Sequence, residues 1–268
     1  GSYRELEKLA KLTDTILFDI KHMDSGKHKK YTTVSNGNVK TEYEKNNNEQ
    51  FEGLYKEYYE SGKIFKEINF INDKENGQEK IYYEDGKILR IVNLKNGKEN
   101  GDVIDYYPNG RIKNKAHFID GELNGEVISY SENGNIIEKG FMKGKLLNGD
   151  AFAYYPNGKL KEKDSFKNGK REGESIIYYE NGNVKQKSTF KNDKREGDLF
   201  IYYPSGKLRQ TEKFINGKIE GEVIEYYESG AIKEKAYFIN DKQEKEHFFY
   251  DEKGKLIKTD IYKNGVKQ

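Results

Sequence analysis

The sequence lacks cysteine and tryptophan altogether, and it has only three prolines and two methionines in 268 residues. Without cysteine there can be no disulfide, no thiolate metal site, no iron–sulfur cluster and no cysteine nucleophile, while the redox compartment stays open. No apolar run approaches the ~18 residues that a transmembrane helix requires. The four histidines share no spacing typical of metal ligands: His22, His28, His117 and His247.

Apolar residues are scarce as well. Hydrophobic residues make up 34% of the chain and charged residues 35%, whereas an ordinary globular domain is ~45–50% apolar. The 22 tyrosines and 14 phenylalanines nevertheless bring the aromatic fraction to 13%, which is not typical of a disordered chain. These figures favour an extended, well-solvated structure with a thin apolar stripe. The net charge of +2 gives no overall field that would attract nucleic acid or a membrane surface.

Catalytic motifs are missing too. The chain has no Walker A loop, no G-x-S-x-G elbow, no H-E-x-x-H pair and no EF-hand loop. Its glycines recur periodically at turns, which argues against a phosphate-binding loop. We therefore expect no catalytic residues, no metal and no cofactor, and the chain is not predicted to be an enzyme.

The strongest positive pattern is an internal repeat of 24 residues. A glycine marks the start of each repeat, and a lysine takes the ninth start position: Gly53, Gly77, Gly101, Gly125, Gly149, Gly173, Gly197, Gly221 and Lys245. The residue five places after each start is always a tyrosine, here called the first tyrosine: Tyr58, Tyr82, Tyr106, Tyr130, Tyr154, Tyr178, Tyr202, Tyr226 and Tyr250. A turn glycine follows, then an aliphatic residue, and then an apolar column that begins at Phe70 and ends at Tyr262.

One repeat, Gly173–Gly197, shows why the unit should be a β-hairpin. Ser175–Tyr179 and Val184–Phe190 are rich in β-branched and aromatic residues, as strands are. Glu180–Gly182 and Asn192–Asp193 have the composition of tight turns, because asparagine, aspartate and glycine tolerate positive φ. A single hairpin cannot bury a face of its own, so consecutive hairpins must stack.

The Gly…Tyr-Tyr-x-x-Gly frame resembles the variant MORN repeat, the kind found in bacterial YwqK-like proteins. The resemblance covers residues 53–268 and implies an all-β fold, an elongated single-layer twisted antiparallel sheet of about nine 24-residue hairpins. Residues 31–52 can be read as a degenerate first repeat, because Ser35–Lys40 is similar to Glu180–Lys185. The predicted domains are therefore an N-terminal segment at 1–30, the degenerate repeat at 31–52 and the array at 53–268.

The N-terminal segment has a different pattern, that of a short α/β unit. Leucine spacing predicts a helix over residues 3–12, Thr15–Ile20 reads as a buried strand, and a second helix is predicted to end near Lys30. Ile16–Asn36 resembles part of the glycyl-radical-enzyme activases, which are radical SAM proteins. The matching residues are Asp19, Ile20, Lys21, Met23, Val34, Ser35 and Asn36.

In the activases the aspartate and lysine of this tract help to hold S-adenosylmethionine, which would assign that role to Asp19 and Lys21. The cysteine triplet of the family is absent here, and Thr33 stands where the family usually has glycine. We therefore expect neither a cluster nor bound S-adenosylmethionine, and we expect the segment to pack against the first hairpin as a fused fragment.

Strand alternation predicts the two faces of the sheet. The first tyrosines, the residues two places before them and the aliphatic and phenylalanine columns should form one apolar seam. The second tyrosine, which directly follows the first in seven repeats, should lie on the opposite face with a set of lysines. Aromatic and cationic side chains on one face could bind a partner by stacking and cation–π contact. The candidate binding residues are Tyr59, Tyr83, Tyr107, Tyr155, Tyr179, Tyr203, Tyr227, Lys161, Lys163, Lys185 and Lys187.

These observations favour a non-enzymatic scaffold that binds a protein partner through this face. One alternative is an antitoxin or immunity protein that neutralises a toxin, as the resemblance to YwqK-like proteins implies. Another is lipid binding at a membrane surface, which the MORN resemblance suggests and the low net charge opposes. The lysines could also serve only to keep an exposed sheet soluble. A cytoplasmic location is favoured, although the Gly-Ser start leaves room for a signal peptide that was removed.

Overall fold

The computed structural model describes residues 31–35 and 38–268. Every regular element among these residues is a β-strand, and all strand pairings are antiparallel. The all-β hairpin architecture expected from the repeat is therefore confirmed. The predicted helix–strand–helix segment at 1–30, together with Asp19, Lys21 and Asn36 of the activase-like tract, lies outside the described residues.

The described residues form 23 strands, and the chain divides into two compact units between Leu146 and Leu147. The first unit contains ten complete strands: β1 Tyr31–Ser35, β2 Asn38–Tyr43, β3 Gly53–Tyr58, β4 Ile64–Ile71, β5 Lys74–Tyr82, β6 Ile88–Lys95, β7 Lys98–Tyr106, β8 Ile112–Ile119, β9 Glu122–Tyr130 and β10 Ile136–Lys143.

The second unit starts within β11 and contains the remaining strands. Their bounds are β11 Leu146–Tyr154, β12 Leu160–Lys167, β13 Lys170–Tyr178, β14 Val184–Lys191, β15 Lys194–Arg195, β16 Gly197–Tyr202, β17 Leu208–Ile215, β18 Lys218–Ile219, β19 Gly221–Tyr226, β20 Ile232–Ile239, β21 Lys242–Tyr250, β22 Leu256–Lys263 and β23 Val266–Lys267. Within each unit, consecutive hairpins pair with one another, so neighbours in sequence are neighbours in the sheet.

The turns have the backbone geometry that their residues predict. In the repeat Gly173–Gly197, Asn192 and Asp193 both have positive φ, 48° and 67°. At the other end of the hairpin, the Gly182 amide donates to the carbonyl of Tyr179 at 2.9 Å. Positive φ at consecutive turn residues matches the twist of the flanking strands, which is why asparagine, aspartate and glycine recur there.

Each of the nine hairpins carries a β-bulge at the same place. In the sixth repeat Ile177 pairs with Gln186 and Tyr178 pairs with Val184, so Lys185 is the extra residue. The same shift precedes every first tyrosine. A bulge inserts one residue into one strand and reverses the side-chain alternation beyond it.

The bulge makes the predicted apolar seam wrong in one respect. The phenylalanine column pairs directly with the start glycines, as Phe190 does with Gly173, and not with the first tyrosine. Phe190 therefore shares a face with Ser175 and Ser188, which we call the packed face. The first tyrosines, the residues two places before them and the lysines two places after the bulge lie on the other side, the open face.

Burial is concentrated on the packed face. In the first unit the most buried members of this face are Ile68, Val92, Val103, Phe118, Val127 and Met142. In the second unit the buried members include Ala151, Asp164, Ser175, Ser188, Leu199 and Phe214. A large aromatic side chain opposite a start glycine covers the backbone that glycine leaves bare, so the two columns of the repeat depend on each other.

Strands β1 and β2 pair with each other, and their aromatic residues continue the packed face. Tyr31 stacks on Tyr43 with ring centroids 5.1 Å apart, and Tyr43 contacts Phe51 at 5.0 Å. Tyr55 adds to the cluster and packs on Phe70 at 5.8 Å. Burial raises the pKa of Tyr55 to about 12, with smaller contributions from Glu57 and Tyr43.

Candidate binding surface

The second tyrosines join each repeat to the next one. The hydroxyl of Tyr179 donates to the backbone carbonyl of Tyr202 at 2.8 Å, one repeat further along. All seven second tyrosines make this bond: Tyr59 to Tyr82, Tyr83 to Tyr106, Tyr107 to Tyr130, Tyr155 to Tyr178, Tyr179 to Tyr202, Tyr203 to Tyr226 and Tyr227 to Tyr250, at 2.6–2.8 Å. We call this bond the tyrosine clasp.

The clasp decides what these tyrosines can offer to a partner. Each hydroxyl is already used as a donor, and each side chain is half-buried. What remains accessible is part of the ring. A tyrosine held in this way loses little further conformational freedom on binding, which favours it as a contact residue.

Cations lie over several of these rings. The Nζ of Lys161 is 6.0 Å from the centroid of Tyr155, and that of Lys185 is 5.7 Å from Tyr179. Arg209 occupies the same position over Tyr203 at 5.8 Å, a contact that sequence reasoning missed because arginine replaces the lysine. These cations are the bulge residues, so the bulge itself turns them towards the second tyrosine.

The other two predicted lysines lie elsewhere. Lys163 and Lys187 point to the open face and form ion pairs with the acidic residue that follows the start glycine. The Nζ of Lys163 lies 2.9 Å from Asp150, and that of Lys187 lies 2.5 Å from Glu174. Hydrogen bonding to these partners raises the pKa of both lysines, and the pKa of Asp150 is lowered by Ser165 and Lys163. The structure therefore divides the predicted set into ring-contacting and ion-paired lysines.

The packed face of the first unit holds an ion network that sequence reasoning did not find. Lys66 contacts both Glu79 and Glu75, and Arg90 lies 3.2 Å from Asp105. Burial raises the pKa of Glu75, and it raises the pKa of Glu99 against the opposing effect of Arg90. The sequence did hold a signal for this network, the opposite charges of Arg90 and Asp105, which pair across β6 and β7. The bulge hides that register from simple strand alternation.

The second unit has a mixed aromatic and basic edge on its packed face. Arg171 lies over Phe190 with its guanidinium carbon 5.3 Å from the ring centroid. Arg195 lies between Phe190 and Phe214, at 5.7 and 5.5 Å. These four side chains, with Lys194, line an open groove of about 400 Å³.

Among residues 31–35 and 38–268, no group of three or more histidine and carboxylate side chains is placed to hold a metal ion. Over the same part of the chain, no helix has the length and apolar character needed to cross a membrane.

Comparison with known families identifies the repeat. The model of the MORN repeat variant matches nine segments, and together they cover more than half of the chain: 51–72, 75–96, 99–120, 123–143, 147–168, 171–192, 195–216, 219–240 and 243–264. The chain belongs to the MORN repeat variant family. Each matched segment of this MORN protein begins two residues before a start position and contains one first tyrosine and one bulge. A search of curated proteins found no match.

Two solved structures show some likeness to this MORN chain. The Photorhabdus luminescens Tc holotoxin pore with the TccC3-D651A mutation matches at 12% identity and a TM-score of 0.21. The TcdB2–TccC3 structure matches at 12% identity and a TM-score of 0.17. The alignments cover 82% and 87% of this chain but 14% and 16% of the matched chains, so the chain spans about a sixth of their length or less.

Proposed function

We propose that this MORN repeat protein is a non-enzymatic scaffold that binds a protein partner through the row of second tyrosines and the cations on their rings. The observation that supports this most directly is the recurrence of one arrangement in three consecutive repeats. Tyr155, Tyr179 and Tyr203 each carry a cation 5.7–6.0 Å from the ring centroid. Evenly spaced identical contacts suit a partner that lies along several repeats.

The chemistry of the row suits protein recognition. Tyrosine and arginine are enriched among the residues that dominate binding energy at protein interfaces. The clasp holds each ring in place before the partner arrives, which reduces the entropy cost of binding. Lys161, Lys185 and Arg209 are exposed, and Arg209 also lies 3.6 Å from Glu225. The charges of Lys161 and Lys185 can therefore meet carboxylates on the partner without a large desolvation cost.

The test removes the cations and leaves the clasps intact. The triple variant Lys161→Gln, Lys185→Gln, Arg209→Gln is compared with a control that loses three exposed lysines elsewhere, Lys167→Gln, Lys191→Gln and Lys213→Gln. Partners are identified by lysine-directed cross-linking and mass spectrometry, and then titrated as purified proteins. We expect affinity to fall at least about tenfold in the first variant and to change little in the control. Equal loss in both variants would show that only total charge matters.

A finer form of this proposal is that the partner is a toxin which the chain neutralises. It is supported by the resemblance of the repeat to YwqK-like proteins. Co-expression with a candidate toxin encoded beside the gene would restore growth, and the cation triple variant would lose that protection. Protection that persists in the triple variant would place toxin binding on another surface.

Lipid binding at a membrane surface is the competing function. The ion pairs of Lys163 with Asp150 and of Lys187 with Glu174 neutralise much of the positive charge on the open face, which weakens attraction to anionic lipids. Co-sedimentation with phosphatidylserine vesicles separates the two functions. If the cation triple variant still binds the vesicles, lipid binding would be favoured over protein binding.

A further inference from the structure

Arg195 differs from the other half-buried arginines of the packed face because no carboxylate of the described residues lies within salt-bridge distance of it. Arg90 lies 3.2 Å from Asp105, and Arg171 lies 3.2 Å from Asp164. Within residues 38–268, no carboxylate lies at salt-bridge distance from the guanidinium of Arg195, and its buried Nε has no hydrogen-bond acceptor. A buried donor without an acceptor is costly, so this group is expected to have a function.

The repeat explains how the partner is lost. Arg171 and Arg195 occupy the same position in consecutive repeats, each within the sequence Lys-Arg-Glu-Gly. The acids beside Arg171 are Glu162 and Asp164, at 3.8 and 3.2 Å. One repeat later those two positions hold Gln186 and Ser188, which are neutral.

Ser188 adds a second buried polar atom without a hydrogen-bond partner at the junction of these two repeats. Its side chain is 2% exposed, and its hydroxyl has no hydrogen-bond partner among the described residues. Ser188 holds the register position from which Asp164 reaches Arg171. A donor and a hydroxyl without partners therefore stand where the previous repeat has an ion pair.

The surroundings of Arg195 favour an anion. Phe190 and Phe214 both lie beside its guanidinium, whose carbon is 5.7 and 5.5 Å from their ring centroids, and all three side chains line the groove. Arg171 and Lys194 add positive charge at the rim. Asp193 also lines the groove, but its Oδ1 already accepts the backbone N–H of Arg171 at 2.8 Å. Glu212 interacts electrostatically with Arg195 beyond salt-bridge distance, and its carboxylate accepts a hydrogen bond from Gln210 at 2.6 Å.

We propose that the groove between Phe190 and Phe214 binds a carboxylate side chain of the protein partner, which pairs with Arg195 as Asp164 pairs with Arg171. A planar guanidinium with free N–H groups is suited to bidentate carboxylate recognition. This inference rests on the proposed function, because the partner supplies the acid. It places the recognition of that acid on the packed face, apart from the tyrosine row.

The full chain is tested with a defined probe. Acetylated pentaglutamate is added to protein labelled with ¹⁵N at arginine, and pentaglutamine serves as the uncharged control. We expect the Nε–H signal of Arg195, assigned by its loss in Arg195→Gln, to shift with pentaglutamate and to stay unchanged with pentaglutamine. Inorganic phosphate and phosphatidylserine vesicles are added separately to distinguish a carboxylate from other anions.

Two variants at one buried position provide the sharpest comparison. Ser188→Asp should supply an internal partner to Arg195 and weaken pentaglutamate binding at least about tenfold, whereas Ser188→Asn should bind like the parent. Ser229→Asp, in an exposed turn, adds the same charge away from the groove. Circular dichroism checks that each variant is folded.

The inference fails if Ser188→Asp binds pentaglutamate like the parent, or if phosphate shifts the Arg195 signal and pentaglutamate does not. Shifts that spread over the tyrosine row and leave Arg195 unchanged would overturn this site and leave the proposed scaffold function intact. Loss of partner binding in the cation triple variant, with the Arg195 shift retained, would show that the two surfaces act separately.

Discussion

At the scale of single residues, the hydroxyl of the second tyrosine is the most regular link between repeats. In the sixth repeat the acceptor is the carbonyl of Tyr202, at the end of the first strand of the following repeat, where the bulge interrupts the regular hydrogen-bond ladder. A buried carbonyl without a donor is unfavourable. The tyrosine therefore stabilises the repeat that follows it, because its hydroxyl satisfies a carbonyl of that repeat.

Removing one clasp should cost stability by a predictable amount. Tyr179→Phe keeps the ring and deletes the hydrogen bond to Tyr202, so we expect a loss of about 1 kcal/mol in the free energy of unfolding. Tyr178→Phe is the matched control, because in the described part of the chain its hydroxyl has no side-chain hydrogen bond. Urea denaturation measures both. Equal losses in the two variants would mean that the clasp adds nothing to stability.

Glu99 should make stability depend on pH in a definite direction. Burial raises its pKa in the folded state, and Arg90 only partly opposes this. The folded state thus favours the protonated form of Glu99. The stabilisation from this protonation begins as the pH falls through the pKa of the folded state, and it is complete below the pKa of the unfolded state. At neutral pH the charged carboxylate is a net cost.

Glu99→Gln is therefore expected to be at least as stable as the parent at pH 7. Its advantage should shrink as the pH is lowered to about 4, near the pKa of an unfolded glutamate. Denaturation midpoints at the two pH values measure this, with Glu132→Gln in an exposed turn as the control. A variant that is less stable than the parent at pH 7 would show that the pair with Arg90 outweighs the cost of burial.

At the scale of the hairpin, the β-bulge determines which side chains meet. The sequence predicts two strands and a turn in the sixth repeat, and the structure has them as β13 and β14. The sequence does not reveal that Lys185 is the extra residue of a bulge, because no particular amino-acid composition is required there. Simple alternation therefore placed Phe190 on the wrong face and grouped Lys187 with Tyr179.

The start glycines have a role that the repeat pattern alone does not show. All eight have positive φ, and Lys245, at the ninth position, has a φ of 65°. This conformation turns one hairpin into the next and is unfavourable for residues with a Cβ atom. The exception at Lys245 places its Nζ 3.6 Å from the centroid of Tyr237, a contact that offsets part of the strain.

Alanine at two start positions should separate backbone strain from crowding. At Gly77 a Cβ would meet nothing within 4 Å, so Gly77→Ala should lose about 1–2 kcal/mol from strain alone. At Gly125 it would lie 2.9 Å from the Cβ of His117, so Gly125→Ala should lose a further 1–3 kcal/mol or so. Thermal and urea unfolding of both variants measure the difference. Equal losses would indicate that β8 moves to make room.

At the scale of the whole molecule, the repeat makes the junctions within each unit nearly the same. The second unit joins consecutive hairpins through the clasps of Tyr155, Tyr179, Tyr203 and Tyr227. The period, the strands and the turns could be predicted because the residues that specify them recur every 24 residues in the sequence. The unpaired Arg195 could not, since it depends on how Gln186 and Ser188 replace two acids at one junction.

Repeat proteins of this kind are stabilised by interactions between nearest neighbours, so damage at one junction should stay local. Hydrogen exchange on Tyr179→Phe tests this within the second unit. We expect amides of β14, β16 and β17 to exchange faster, because these strands meet at the Tyr179 clasp, and amides of β21 and β22 to keep the protection of the parent. Faster exchange that is uniform from β12 to β22 would instead mean that the unit opens as one cooperative body, in which a lost clasp lowers the stability of every repeat equally.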